Sequence, residues 1–186
     1  MSGHMARPRL PALVFAVALL WSPVAFAACG AEGFVTNAGN AFFAAARAKS
    51  PQAFSNAASR YADLRGIALF ALGQHRKKLP KAREAEYIAL TRIFVGKFMA
   101  QYSARLSGSN LKVISCSTSG KALLLKASAS GGKTLSFRVS KGKGGYRVQD
   151  VSVSSFWLAA QMRSKFVSVV NAGGGDINAL FKYLNR

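Results

Sequence analysis

The sequence predicts an α+β domain with a single antiparallel sheet. Ala-rich, helix-periodic segments fill positions 33–106. Short alternating segments separated by Gly-rich turns fill positions 111–154, and two more helix-periodic segments close the chain. Helices, then a meander of strands, then helices is the pattern of an α+β fold. The 186 residues suit one ordinary domain, and no internal repeat or linker divides them.

The first 27 residues read as an address. Arg7 and Arg9 precede an apolar run from Leu10 to Leu20, and Trp21-Ser22-Pro23 breaks it. Small residues at Ala25 and Ala27 fit a secretory signal peptide cut after Ala27, leaving 28–186 as one mature domain. Two rival readings stand beside this one. An uncleaved anchor would need roughly 20 apolar residues, more than the run supplies. A lipoprotein would be acylated at Cys29, although Phe26 suits that motif poorly. Met1 to Met5, with Ser-Gly-His between, fits a late start or a leftover tag. Export implies an oxidising compartment, where Cys29 and Cys116 either pair, stay as buried thiols, or leave Cys29 lipidated.

Gly33 to Lys49, carrying Phe34, Phe42 and Phe43, is the first expected helix. Ser50 caps the next, with Pro51 at its first position and Ala53 to Ser59 as its body. Tyr61 to Leu72 is a third, stopped by Gly73. Gln74 to Arg83 is a basic connector. Pro80 is expected to open the longest helix, to about Leu106, with Tyr87, Leu90, Phe94, Phe98 and Tyr102 on one face. Arg92, Lys97, Gln101 and Arg105 lie opposite. That stripe suits a packed core or the wall of a ligand cavity.

Four strands are expected over 111–118, 122–128, 134–140 and 146–154, with hairpins at Gly131-Gly132 and Lys141 to Gly145. Tyr146 and Val148 differ in parity from Val151 and Val153, and a bulge near Asp150 reconciles them. Helices over 157–171 and 177–184 follow, broken by Gly173-Gly174-Gly175, with Asp176 as the second cap.

Composition narrows the chemistry. Lysine and arginine number 26 against 6 acidic residues, a net charge of +20, so anionic partners are favoured: lipid head groups, lipopolysaccharide or nucleic acid. The basic residues are spread over every segment and the aromatics lie on apolar stripes, which disfavours nucleic acid. No phosphate loop, nucleophile elbow or metal-ligand spacing occurs, and the expectation is no metal, no cofactor and no catalytic residue. An enzyme pairing Asp63 or Asp150 with Tyr61 or Tyr146 ranks last, because a lone Asp more often caps backbone N–H groups. His75 is the sole histidine beyond the leader. What is left is a basic exported domain rich in Phe and Leu. A sheet curving around helices leaves an apolar interior for acyl chains, and shielding about 30 methylenes from water is worth roughly 24 kcal/mol.

Several segments resemble one family. Tyr61-Ala62-Asp63-Leu64-Arg65, Phe70 to Lys77, Pro80, Tyr87, Leu90, Tyr102 and Leu106 are similar in order and spacing to the MlaC, or toluene-tolerance, family of periplasmic phospholipid-binding proteins. Tyr146 to Val153, Trp157-Leu158, Met162 to Phe166 and Gly173 to Leu184 continue the likeness. The resemblance implies a curved antiparallel sheet of four to five strands on helices, similar to nuclear-transport-factor-like domains, with an apolar cavity. It implies a periplasmic carrier, auxiliary to an ABC transporter and serving outer-membrane lipid asymmetry. Its cargo would be a bound phospholipid. Its partners would be an inner-membrane ABC transporter complex and an outer-membrane lipoprotein complex, with transient membrane contact. A hopanoid carrier of the same family is the first alternative, and a non-transport interaction domain with a packed core is the second. Ser154-Ser155, Phe156 and Met162 depart from the family pattern. The expected pocket lining is Phe70, Leu72, Phe94, Phe98, Phe137, Val151, Val153 and Phe156. Arg76, Lys77 and Lys78 are the expected basic residues at its mouth.

Overall fold

The computed structural model describes residues 29–106, 110–130, 132–153 and 155–186; the expected signal peptide lies outside them. Five helices come first: α1 (Glu32–Arg47), α2 (Pro51–Tyr61), α3 (Leu64–Ala71), α4 (Glu84–Gln101) and α5 (Ser103–Leu106). Five strands follow: β1 (Lys112–Ser119), β2 (Ala122–Ala129), β3 (Lys133–Gly142), β4 (Gly145–Val153) and β5 (Phe156–Trp157). Two helices, α6 (Leu158–Ala172) and α7 (Ile177–Leu184), end the chain. The sheet is an antiparallel meander in the order β1-β2-β3-β4-β5. The expected α+β class is therefore observed, with a curved five-stranded sheet packed on helices.

Local chemistry sets most boundaries. Ser50 accepts a hydrogen bond from the Ala53 amide at 3.1 Å, and Pro51 occupies the first helical position. The expected third helix is shorter than the sequence suggests. Tyr61 closes α2, and Asp63 starts α3 by accepting from the Gly66 amide. Between them the Asp63 amide donates to the Val148 carbonyl at 2.8 Å, pinning the α2–α3 link against β4. Gly73 leaves α3 at φ +55°, a conformation costly for side-chain-bearing residues, and the chain continues as a 3-10 turn, Gly73–Lys78.

Pro80 does not open the long helix. It precedes a single 3-10 turn, Lys81–Arg83, and α4 begins at Glu84. Nor does that helix reach Leu106. Tyr102 takes φ −102° and ψ 11°, outside helical geometry, and α5 restarts after it. The bulge falls where strand parity requires it: Arg138 faces Asp150 while Val139 faces Val148, so Gln149 is the extra residue. Val148, Val151 and Val153 thereby share the helix-facing side with Val139, Phe137 and Leu135.

The core has three parts. Val35, Ala38 and Phe43 of α1 pack on Leu125, Phe137, Val139 and Val148 of the sheet. Tyr87, Phe166, Leu180 and Leu184 join α4, α6 and α7. Phe54 and Met99 join α2 to α4 beneath Ala45 and Ala46. Tyr87 is fully buried and donates to the Ala68 carbonyl at 2.8 Å, and burial pushes its phenol well above the ordinary range.

Gly96 permits the α2–α4 contact. A methyl group there would collide with the Ser55 hydroxyl and the Pro51 carbonyl. Gly96→Ala is expected to lower stability by about 2–3 kcal/mol despite the better helix propensity of alanine, because backbone has to move. A denaturant midpoint at or above that of the wild type would disprove the close approach.

Candidate functional site

The three core parts do not close where they meet. A cleft of about 90 Å³ remains, lined by Phe42 and Phe43 of α1, Ala58 of α2, Leu64 and Ile67 of α3, and Val95, Phe98 and Met99 of α4. Leu135, Phe137, Val148, Val151 and Val153 of the sheet and Leu158, Ala159 and Met162 of α6 complete it. Its lining is apolar apart from Asp150, so the space suits hydrocarbon. It is also small, since one water takes about 30 Å³ of liquid.

The cleft runs into a groove of about 920 Å³. Phe98, Met99, Val153, Leu158 and Met162 line both spaces and form the neck between them. Part of the groove lining is aromatic. Phe94 stacks on Phe98 at 5.9 Å, meets the Phe166 edge at 5.1 Å, and lies 5.9 Å from Tyr183. Lys97, Lys133, Lys165 and Arg186 also line the groove, with Gln101 and Gln161, and no Asp or Glu side chain does. An apolar interior opening onto a cationic mouth can hold an amphiphile with its tail inside and its polar end out.

The structure separates the expected lining residues into groups. Phe137 and Val151 line the inner cleft, Phe98 and Val153 the neck, and Phe94 the groove. Phe156 borders the groove with its ring 66% exposed. It pairs with Val153 on the sheet edge and sits on the rim, rather than narrowing the interior. Phe70 and Leu72 belong to neither space. Phe70 is 45% exposed with the Arg163 guanidinium 5.1 Å from its ring centre. Leu72 is buried in the core between α3, α4 and α6. The face of α3 that reaches the cleft is that of Leu64 and Ile67.

The basic turn is also displaced from the mouth. His75 Nε2 lies 2.8 Å from Asn171 Oδ1, and Lys78 Nζ donates to the Gly175 carbonyl at 2.7 Å. These contacts fix Arg76, Lys77 and Lys78 at the C-terminal end of α6, whereas the groove uses its first two turns. From Met162 to Asn171 is about 14 Å of helix. The mouth cations come instead from α4, β3, α6 and the C-terminal residue. Sequence spacing gave no hint that they converge.

The carboxylates and tyrosines weighed for catalysis make structural contacts. Asp63 caps α3. Tyr146 approaches the Cys29 carbonyl at 3.4 Å, and Tyr61 packs edge-on against Phe34. Asp150 Oδ1 accepts from the amides of Ala159 at 2.9 Å and Val151 at 2.8 Å, so it caps the start of α6 from the neighbouring strand. Burial raises its pKa above the ordinary carboxylate value, against the pull of these two amides and of Arg138. A raised carboxyl pKa means protonation favours the fold. The charge therefore costs stability as pH rises through the folded-state pKa, while the two hydrogen bonds remain favourable. Asp150→Ala is expected to cost about 2 kcal/mol, because it orphans buried amides at a helix start. Asp150→Asn keeps an acceptor without charge, and should cost far less and flatten stability against pH above the carboxylate range. Equal losses in both variants, measured by urea unfolding at several pH values, would refute the capping role.

Cys29 and Cys116 form a disulfide with a Cα–Cα distance of 6.3 Å, joining the start of α1 to β1. The Cys29 amide donates to Glu32 Oε1 at 2.7 Å, and hydrogen bonds from its own amide and that of Cys29 hold the Glu32 carboxyl below its ordinary pKa. Among the described residues no helix is long and apolar enough to cross a membrane.

Curated protein sequences give no match. Among solved structures, the fold matches a phospholipid-binding protein from Ralstonia solanacearum in complex with a phospholipid, with a TM-score of 0.68. The two are 16% identical, and the match covers 83% of this chain and 94% of the other. The family described as MlaC protein matches residues 37–186. That span takes in all seven helices but the first turns of α1, together with the whole sheet, the cleft and the groove, and on it the chain belongs to the MlaC family.

Proposed function

We propose that this chain is an exported lipid carrier that binds a glycerophospholipid. Its acyl chains enter the cleft through the Phe98–Val153–Met162 neck, and its head group stays in the groove. The observation that carries this reading is the continuity of an apolar interior with a large amphipathic groove. Family membership and a similarly folded protein that holds a phospholipid support it. The inner cleft is too small for two acyl chains as it stands, so entry of the chains spreads the walls formed by α1, α4 and the sheet. The neck residues Met99, Leu158 and Met162 suit such repacking, because flexible side chains re-form contacts at low cost.

Within this reading residues 1–27 are a signal peptide, and the mature chain works in the periplasm. It passes lipid between an outer-membrane lipoprotein complex and an inner-membrane ABC transporter, touching membranes only transiently. Its work is transfer and needs no catalytic group or cofactor. The test is native mass spectrometry of the exported protein, followed by extraction and identification of bound lipid. A diacyl phospholipid bound one to one is the expected result. A hopanoid would replace the cargo and keep the carrier. An empty protein that takes up nothing from vesicles would reduce the cleft to a packing imperfection in an interaction domain.

A further inference from the structure

The positive charge of the chain is spread over its whole surface, but negative charge is not, and the groove is where that difference acts. All six side-chain carboxylates are engaged away from the groove. Glu32 accepts from the Cys29 amide, and Glu84 and Glu86 pair with Arg65 and Arg83 at 2.7 and 2.9 Å. Asp63, Asp150 and Asp176 cap α3, α6 and α7. The groove itself gathers Lys97 from α4, Lys133 from β3, Lys165 from α6 and Arg186. Lys97 Nζ donates to the main-chain oxygen of Arg186 at 3.2 Å, and Lys165 Nζ stands 5.3 Å from the centre of the Tyr183 ring.

We propose that the groove selects phospholipids whose head group carries net negative charge and discriminates against zwitterionic ones. This rests on the carrier reading above and adds the class of cargo. Both kinds of lipid present a phosphate that four cations attract. They differ beyond it. The ammonium of a zwitterionic head group would stand among lysine and arginine side chains with no Asp or Glu side chain to receive it, and the main-chain oxygen of Arg186 already accepts from Lys97 Nζ. A glycerol head group brings hydroxyls, which Gln101 and Gln161 can meet with hydrogen bonds. Interactions of this kind between solvent-exposed charges are each modest, and salt screens them over about 8 Å at physiological ionic strength. The expected preference is therefore on the order of tenfold at low salt, falling to about twofold in 0.5 M salt.

The test uses the full-length protein stripped of lipid and refilled from vesicles of equimolar phosphatidylglycerol and phosphatidylethanolamine with matched chains. Bound lipid is then counted by mass spectrometry. Wild type is expected to hold about one lipid, with phosphatidylglycerol enriched about tenfold. Lys133→Glu with Lys165→Glu should lose the enrichment in whatever lipid it holds, and the Lys133→Gln, Lys165→Gln pair should lie between. Arg76→Glu with Lys77→Glu changes the net charge equally, far from the groove, and should keep the enrichment. Equal loading of the two lipids by wild type, or enrichment that survives the groove substitutions, overturns the selectivity. So does enrichment lost equally in the Arg76, Lys77 pair, which would assign it to overall charge. Wild type that takes up neither lipid overturns the carrier reading itself.

Discussion

Removing the disulfide with Cys29→Ala and Cys116→Ala is expected to lower stability by about 4–5 kcal/mol. The bond closes a loop of 87 residues, which contains the first five helices and both 3-10 turns. Most of the effect comes from the unfolded chain, whose freedom the bond restricts. At about 2–4 °C per kcal/mol for a chain of this size, the melting temperature should fall by roughly 10–15 °C. The folded protein should change little. Val35, Ala38 and Phe43 dock α1 on the sheet whether or not the bond is present. Lipid occupancy at 25 °C should therefore match that of the wild type. Thermal unfolding with and without reductant measures the first effect, and lipid counting measures the second. A melting temperature unmoved by reduction would mean that the bond is absent in the folded protein or closes nothing in the unfolded one.

Val153→Glu is expected to reduce lipid occupancy at neutral pH by at least about a hundredfold. Val153 lines both the cleft and the groove, so a carboxylate there would stand in the neck through which an acyl chain passes. Burying an unpaired charge against hydrocarbon costs several kcal/mol, and each 1.4 kcal/mol is a factor of ten. An apolar surrounding raises the pKa of an introduced carboxyl. Occupancy should therefore recover as pH falls and the group becomes neutral. Phe156→Glu is the instructive contrast. Phe156 borders the same groove but is largely exposed, so its substitution should weaken binding by only about tenfold. If the two variants lose lipid equally, the neck is not the entry to the interior. If Val153→Glu retains lipid, the chains lie elsewhere.

Much of the fold was legible in the sequence because local rules governed it. Ser50 with Pro51 and Asp176 are caps with short-range hydrogen bonds, whereas the cap at Asp63 was read as helix interior. The strand limits follow alternation and glycine turns to within two residues. The bulge was readable because Val148 and Val151 cannot share a face without an extra residue. The two ends of the long helix were misread for an equally local reason. Pro80 and Tyr102 take backbone angles that the apolar stripe running past them does not encode.

The site was legible only in part. Apolar spacing marks Phe94, Phe98, Phe137, Val151 and Val153 as inward-facing, but a residue facing core and one facing a cleft have the same period. Phe70 and Leu72 show the cost: the Arg163 guanidinium stands by one and the α3–α4–α6 core holds the other. Phe42 and Phe43 of α1 were visible as an aromatic pair, and nothing in their neighbours assigns them to a wall that closes only when α1 crosses the sheet.

The sequence by itself determined the class of fold, the order of elements, most caps, the family and the excess of positive charge. These depend on neighbours within a few positions or on composition. The tertiary structure alone decided that three core clusters meet around a gap and that Lys97, Lys133, Lys165 and Arg186 line the groove beside it. It also set the Arg76–Lys78 turn at the far end of α6. Such placements depend on where elements cross, and side-chain periodicity repeats identically whether the surface it faces is full or empty.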